Sequence, residues 1–378
     1  MTGLAGRWAA GALLALAVGV SPVAVCAQGA ALRSSWFASA TAEQGFDNNV
    51  RYESDSTRIK DFNRRLTGAV QVTRVRARST LGVSANASLV RYEKLKALNA
   101  VSYDINTTAT RRLSANTSGS LGAFYRNVFS NEVVTTPTTL LFQRAIQKSL
   151  GGTAGTVRRF SPFNTGTIDL GYTKVTFDRP GLVPGMSFTG RGQFGHALRT
   201  RGAVGVVADV SQGTAQGVQL GTQSLAALIA PKLRKLKIAI TAGATRTVTD
   251  SVSAILPSGS VQVGDSLGPG SFSVGYSRGA SQAFGLGALL VTDALSGSYD
   301  FQARRGNFVS VGGWWGQSRP SSGPSITLKS RSLFASFRRG MKAGITIGGS
   351  GSYRQRKDLI QASGFAAQLG LGYSLRPR

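Results

Sequence analysis

The chain has 378 residues, with 44 Lys and Arg against 16 Asp and Glu, which gives a formal net charge of +28. It contains 48 Gly but only one Cys and one His. Beyond the first few dozen residues, no apolar run approaches the roughly 20 residues that a membrane-spanning helix needs. The positive charge is not accompanied by a basic helix or an RNA-binding motif, so nucleic acid is not an expected partner. Contact with anionic lipopolysaccharide and lipid headgroups, or a positively lined channel, is the expected use of this charge.

Residues 1–27 have the organisation of a cleaved secretory signal peptide. Arg7 supplies the charged n-region, the apolar run from Trp8 to Val20 supplies the h-region, and Val25 and Ala27 precede the expected cleavage site. Residues 28–378 then form one exported domain. The alternative is a lipid attached to Cys26, but the residues before it lack the small residue that such signals carry directly ahead of the cysteine. With cleavage after Ala27 the exported chain has no cysteine and therefore no disulfide.

The stretch from Thr80 to Leu89 alternates with a period of two. Its two faces are Leu81, Val83, Ala85, Ala87 and Leu89 on one side and Thr80, Gly82, Ser84, Asn86 and Ser88 on the other. Strict alternation predicts a β-strand with two different surroundings. The second face carries small uncharged polar residues, where a soluble sheet would usually carry long charged side chains. Small polar residues suit the inside of a barrel, and an entirely apolar face suits lipid.

The same alternation recurs along the rest of the chain, between short basic turns and longer connections rich in Gly, Pro, Asp and Asn. The expected turns are at residues 73–79, 110–114, 157–161, 198–202, 233–235, 277–279, 304–306 and 338–340. This layout predicts an all-β protein, a closed antiparallel transmembrane β-barrel of the outer membrane, with about 18 strands and 16 as the alternative. The short basic turns would be periplasmic and the longer loops extracellular.

Closure of such a barrel pairs every backbone N–H and C=O within the protein, which lipid requires. A barrel of this size leaves an aqueous channel unless a loop folds into it. The stretch from Thr249 to Gly268 is predicted to be a long loop that constricts the channel, because the apolar residues at 254–256 would be out of place in water.

The sequence gives little support for an enzyme. Hydrolytic outer-membrane barrels depend on a histidine with a serine or carboxylate partner. The only histidine, His196, points outward by its phase with Phe194 and lies close to a basic turn, so we interpret it as an interfacial residue. A cysteine nucleophile is lost with the signal peptide, and no His and Cys cluster is spaced to bind zinc. We therefore expect no catalytic residues, no metal and no cofactor.

Charged side chains on the inward phase are the candidate pore-lining residues. They are Arg126, Arg191, Lys237, Asp104, Asp169, Asp209 and Asp300. One interpretation is that each pairs with an opposite charge along the wall, which costs little in a water-filled lumen. The other is that Arg126 and Arg191, with Lys and Arg residues of the loops, attract anions by focusing the field in a narrow passage.

The last strand resembles the C-terminal β-signal that outer-membrane barrels present to their assembly machinery. Gln368 matches the polar position of that signal, Gly370 its glycine, and Tyr373 and Leu375 its two apolar positions. The chain departs from the pattern at its tail, Arg376 to Arg378, since many such proteins stop at the final aromatic residue. The resemblance implies that the barrel assembly machinery is a partner.

The segment Gly45-Phe46-Asp47-Asn48-Asn49-Val50-Arg51 resembles the opening motif of the β-barrel porins found beside exopolysaccharide loci in Gram-negative bacteria. This resemblance implies export of an acidic polysaccharide, with periplasmic export components as partners. Together with the residue pattern, it leads us to expect a passive, water-filled channel for anionic solutes or for such a polymer. The alternative is a structural or adhesive outer-membrane barrel whose lumen is plugged.

Overall fold

The computed structural model describes residues 33–375 apart from 51–54, 130–144, 199–201, 232, 234–235, 251, 285, 304–305, 322–326, 342–343 and 358–360. The proposed signal peptide and the Arg376–Arg378 tail lie outside these ranges. Among the described residues, no helix has the length and apolar character that crossing a membrane would require.

Eighteen β-strands, β1 to β18, make up almost all of the described chain. Their bounds are β1 Arg33–Asp47, β2 Asp61–Arg76, β3 Ser79–Tyr92, β4 Ala100–Arg112, β5 Thr117–Phe129, β6 Ile146–Arg159, β7 Asn164–Phe177, β8 Gly185–Ala197, β9 Gly202–Ala215, β10 Val218–Pro231, β11 Lys237–Thr249, β12 Ser253–Leu267, β13 Gly270–Ala283, β14 Ala288–Ala303, β15 Asn307–Pro320, β16 Leu328–Gly340, β17 Ile345–Lys357 and β18 Gln361–Leu375. A short 3-10 helix, Lys96–Leu98, follows β3.

Each strand pairs antiparallel with its neighbours in sequence, and β1 pairs with β18, so the sheet is closed. The predicted closed 18-stranded barrel is confirmed. The strand predicted from Thr80 to Leu89 corresponds to β3, the third strand of the barrel. It begins directly after the turn at Ala77 and Arg78. Closure pairs the first strand with the last, so neither β1 nor β18 is an open edge of the sheet, which is the condition for placing backbone in lipid.

The outer face of the barrel is apolar and exposed. Leu121, Leu225, Leu333 and Leu369 are each more than 60% exposed, although leucine is normally buried in a water-soluble protein. In a membrane barrel this exposed surface is where the lipid lies. Aromatic pairs lie on the same face, including Tyr103 with Tyr125, whose ring centroids are 5.8 Å apart. Aromatic residues on the outer surface are typical of the two membrane interfaces.

Two expectations about connections are wrong. The stretch from Thr249 to Gly268 is not a loop, because most of it forms β12. Ile255, expected to line a constriction, is 74% exposed on the outer face. Residues 277–279 are not a turn but lie inside β13, where Arg278 is 3.4 Å from a carboxylate oxygen of Asp293 on β14. The actual turn is at Gly268 and Pro269, and Gly268 has a positive φ of 58°.

Pro257 explains why β12 did not resemble a strand. Proline has no backbone N–H, so it interrupts the hydrogen-bonded ladder of a central strand. In the structure β12 pairs with β11 up to Ser253, but its pairing with β13 stops at Gly259 and Arg278. Pro257 therefore lies in the part of β12 that has only one neighbouring strand.

The segment from Gly45 to Val50, which resembles the opening motif of exopolysaccharide-associated porins, connects the first strand of the barrel to the last. The backbone N–H of Asn48 donates to the carbonyl oxygen of Phe365 at 3.0 Å, and the N–H of Phe365 donates to the side-chain oxygen of Asn48 at 2.7 Å. The Asn49 side chain donates to the carbonyl oxygen of Ser363 at 2.9 Å. We call Asn48, Asn49 and Asp55 the seam clasp, since these residues fasten the chain that follows β1 to β18.

Candidate functional site

The inner face of the barrel is lined mainly by hydroxyl and glycine residues. Neighbouring hydroxyls form hydrogen bonds along the wall, for example Thr241 with Ser260 at 2.8 Å and Ser273 with Ser298 at 2.9 Å. These side chains point to the opposite face of the sheet from the lipid-facing Ile240 and Val274, with which they alternate along the strands. The wall thus offers small polar groups to the lumen at close spacing, which suits a water-filled interior.

Asp104 and Arg126 are directly opposite each other on β4 and β5. The side-chain amide of Asn86 donates to Asp104 at 3.1 Å. The Arg126 guanidinium lies 4.9 Å from the centre of the Phe124 ring, which faces inward beside it and lies across Gly151. Two of the predicted pore-lining residues are therefore neighbours in one row. The inward-facing Phe124 was not predicted.

A second row of charged residues crosses β7, β8 and β9 and consists of Asp169, Arg191 and Asp209. We call it the Arg191 row. The Nε of Arg191 is 3.6 Å from Oδ1 of Asp209, and their side chains are 54% and 45% exposed. Ser224 on β10 donates a long hydrogen bond of 3.4 Å to Asp209. Three predicted pore-lining residues are thus brought together. Water reaches about half of the surface of two of them, although both point into the barrel.

Lys237 and Asp300 are apart from these rows, at the periplasmic ends of β11 and β14. Lys237 borders a hollow of about 380 Å³ on the inner wall, together with Gln262, Ser273 and Ser296. Asp300 lies between Ser271 and Ser310 in register. The two residues are therefore placed on the inner surface near the periplasmic opening and are not in contact with the Arg191 row.

A group of charged residues at the extracellular opening was missed from the sequence. It lies on both sides of the seam between β18 and β1: Glu43 on β1 is opposite Arg65 on β2, and Arg354 and Arg356 are on β17. Arg354 is 3.2 Å from Asp47, and Arg356 is only 7% exposed. The inward phase of β1 and β17 would have located these residues.

Within the part of the chain that the structure describes, the tip of the β13–β14 hairpin narrows the extracellular opening. We call its residues 279–284 and 286–291 the mouth hairpin. Beyond Arg278, toward the extracellular side, the hairpin is no longer paired with β12. It packs instead against the extracellular ends of β8, β9 and β10. Leu289 contacts Ala215 and Leu220 in a buried apolar cluster to which Phe284 and Val183 also belong. On its other side Leu290 packs with Leu328 of β16. The mouth hairpin thus spans part of the opening, from β16 to β10. It has the constricting position that the sequence analysis predicted for residues 249–268.

His196 lies at the periplasmic end of β8 on the outward register, as its phase predicted. Its Nδ1 is 2.6 Å from the side-chain oxygen of Asn164, and its ring lies near Phe163. Within the described residues, no three His, Cys, Asp or Glu side chains are grouped to bind a metal. On β18, Gln368 and Gly370 are on the inward register, while Tyr373 and Leu375 are exposed outward, 47% and 46%, near the periplasmic end.

Comparison with known proteins gives structural relatives only. No protein-family model matches the chain, and no curated protein matches it in sequence. Solved structures of three Pseudomonas aeruginosa proteins are similar over 91% of this chain and 98% of theirs: OpdQ with 10% identity and a TM-score of 0.51, OccK2 (OpdF) with 9% and 0.52, and OpdO with 11% and 0.52. At such low identity the shared property is the fold. The chain is a closed 18-stranded antiparallel β-barrel whose fold is similar to these solved structures.

Proposed function

We propose that this barrel is a passive, water-filled channel across the outer membrane. The observation that carries the proposal is the exposure of the Arg191 and Asp209 side chains, about half of whose surface is open although both point inward. A packed or dry interior would not leave two charged groups so exposed, because burying a charge is costly unless it is fully paired. The small hydroxyl residues around them support the same conclusion.

We propose further that the channel favours anionic solutes. Inward-facing basic residues are found at both openings, with Arg354 and Arg356 at the extracellular end and Arg338 and Lys237 at the periplasmic end. Low-dielectric walls concentrate the field of such charges in the passage between them. One similar structure, OccK2, was solved in complex with glucuronate, a carboxylate sugar. An acidic sugar is therefore a suitable first solute to test.

Export of an acidic polysaccharide is a narrower proposal, supported by the resemblance of the Gly45 to Arg51 segment. It would require periplasmic export components as partners. The alternative is a structural or adhesive barrel, and the mouth hairpin favours it, because this hairpin fills part of the extracellular opening. The two functions differ in conductance, which a plugged barrel would lack.

We also propose two kinds of contact outside the lumen. Lipopolysaccharide phosphates would meet outward-facing arginines at the extracellular rim such as Arg64, whose side chain is 72% exposed. The assembly machinery would bind β18 through Gln368, Gly370, Tyr373 and Leu375. Both proposals concern insertion and anchoring rather than transport, and neither requires a cofactor.

The test is to reconstitute the purified protein in planar lipid bilayers and to measure its conductance and its reversal potential in a salt gradient. We expect stable single-channel steps and a reversal potential of the sign given by anion preference. Absence of conductance would support the plugged barrel, and clear cation preference would refute the anionic channel. Comparing unboiled and boiled samples on SDS gels first shows that the barrel is closed, because closed barrels then migrate differently.

A further inference from the structure

Three aromatic side chains form a column on the inner wall at β15 and β16. Phe308 and Trp314 are on the inward register of β15, and Phe334 on β16 is opposite Gly312 of β15. Their outward neighbours Val309, Trp315 and Leu333 are exposed to lipid. With a rise of about 3.3 Å per residue, the column extends about 20 Å along the lumen. It begins near the periplasmic turn and ends below the mouth hairpin.

The rings of this column lie flat against the wall. A methyl group on Gly312 would come within 2.6 Å of the Phe334 ring, and one on Gly316 within 3.0 Å of the Trp314 indole. Each ring therefore occupies the space that the glycine leaves, with its other face directed to the lumen. Phe308 and Phe334 are 37% and 39% exposed. Most of the remaining lumen wall carries Ser, Thr and Gly, with Phe124 on β5 as an exception, so these large apolar surfaces in water are not explained by a need to fill space.

Arginines lie at both ends of the column. At the periplasmic end the Arg338 guanidinium is 4.9 Å from the centre of the Phe308 ring. At the other end Arg354 is opposite Ser332, which is itself opposite Trp314, so the arginine and the indole share one row. The wall eight strands away, at β7 and β8, carries Asp169 and Arg191. The column therefore offers three apolar ring faces between cationic groups on one side of the lumen, whereas Phe124 beside Arg126 on β5 is a single ring.

From this arrangement we infer a binding track for oligosaccharides of uronic acids, formed by Phe308, Phe334 and Trp314 with Arg338 and Arg354 at its ends. The apolar C–H face of a pyranose ring covers an aromatic ring, and this burial removes the exposed apolar surface from water. The carboxylates of the sugar would then meet the guanidinium groups at the two ends. The inference rests on the proposed channel function and specifies its substrate class.

The test compares two double variants on the same two strands. W314L/F334L removes the inward aromatic faces but retains apolar side chains, while W315L/F337L makes the same changes on the lipid-facing register. Each full-length protein is checked for heat-modifiable migration on gels, so that a misfolded variant is recognised. Binding of trigalacturonate and of maltotriose to the detergent-solubilised barrel is measured by calorimetry, and block of the bilayer current by the same sugars is recorded.

We expect the wild type to bind trigalacturonate more tightly than maltotriose. W314L/F334L should weaken binding of both sugars by about tenfold or more, because two aromatic faces are lost, whereas W315L/F337L should bind as the wild type does. R338Q should reduce the preference for the acidic sugar and leave maltotriose binding unchanged. Equal binding by the two double variants would refute the track. Because calorimetry does not depend on conductance, a barrel that binds sugars but fails to conduct would refute the channel and retain the track.

Discussion

The side-chain amide of Gln282 on β13 donates a hydrogen bond of 2.8 Å to the backbone carbonyl oxygen of Leu220 on β10, although β11 and β12 separate the two strands. This contact is possible because β13 and β12 are no longer paired above Gly259 and Arg278. The freed hairpin extends inward past β12 and β11 until its tip meets the ends of β10 and β9. A local break in one ladder thus produces the element that narrows the extracellular opening of the barrel.

Shortening Leu289 should loosen the mouth hairpin. The side chain is 2% exposed in a cluster with Ala215 and Leu220, so Leu289→Ala should cost about 2–4 kcal/mol of packing. We expect a larger and noisier single-channel conductance, because the hairpin would leave the opening more often. Leu333→Ala, at a 63% exposed lipid-facing position, is the matched control. Identical conductance traces for the two variants would show that the mouth hairpin does not limit the current.

Changing the charges of the Arg191 row should alter ion selectivity with little effect on stability. An exposed ion pair contributes only about 0–1 kcal/mol, and the Arg191 and Asp209 side chains are about half exposed. Arg191→Gln should move the reversal potential toward cation preference, and Asp209→Asn should move it the opposite way. His196→Gln, on the outward register, should leave the potential unchanged. Shifts of the same sign for both lumen variants would contradict a role of this row in selectivity.

Removing the ion pair across the seam should weaken barrel closure. Arg354 on β17 donates to Oδ2 of Asp47 on β1 at 3.2 Å, and β18 lies between them. The Asp47 side chain is only 7% exposed, so Arg354→Met should cost about 2 kcal/mol by leaving a buried carboxylate with one partner fewer. We expect the folded band on unboiled gels to be lost at a lower temperature. Lys357→Met, at an exposed position on the same strand, should not change that temperature.

The stability of the seam clasp should depend on pH, because Asp55 is ionisable. Hydrogen bonds from the hydroxyl and the backbone N–H of Ser363, at 2.8 and 2.9 Å, lower the pKa of Asp55 below its ordinary value of 3.8, and Arg58 contributes to the same effect. A lowered pKa in the folded state means that the ionised carboxylate stabilises the clasp above pH 3.8. This stabilisation is lost as the pH falls through the lowered pKa.

Limited proteolysis of the chain around Asp55 at a series of pH values measures this dependence. We expect protection at neutral pH and faster cleavage below pH 3.8, with an acid-resistant protease as the probe. Asp55→Asn removes the titrating group and should abolish the pH dependence of cleavage in this region. Persistence of the same dependence in Asp55→Asn would assign it to another group.

Much of the wall could be predicted from the sequence because a strand has a strict period of two. The residues of β3 needed no partner strand to be sorted into a lipid face with Leu81 and Val83 and a lumen face with Ser84 and Asn86. The same phase located Arg126, Arg191 and Asp209 on the inward register. It failed in β12, where Pro257 and several Gly and Ser residues resemble a loop. A proline is compatible with a strand there only because β13 has moved away.

The sequence alone therefore determined the class of fold and which side of each strand meets water, since both follow from local alternation. The tertiary structure decided which side chains become neighbours, because that depends on the register between strands far apart in sequence. Asp47 and Arg354 meet only when the first and last strands close the barrel. Gln282 reaches Leu220 only when a hairpin leaves its neighbouring strand. Phe334 lies flat only because Gly312, on another strand, has no side chain to occupy that space.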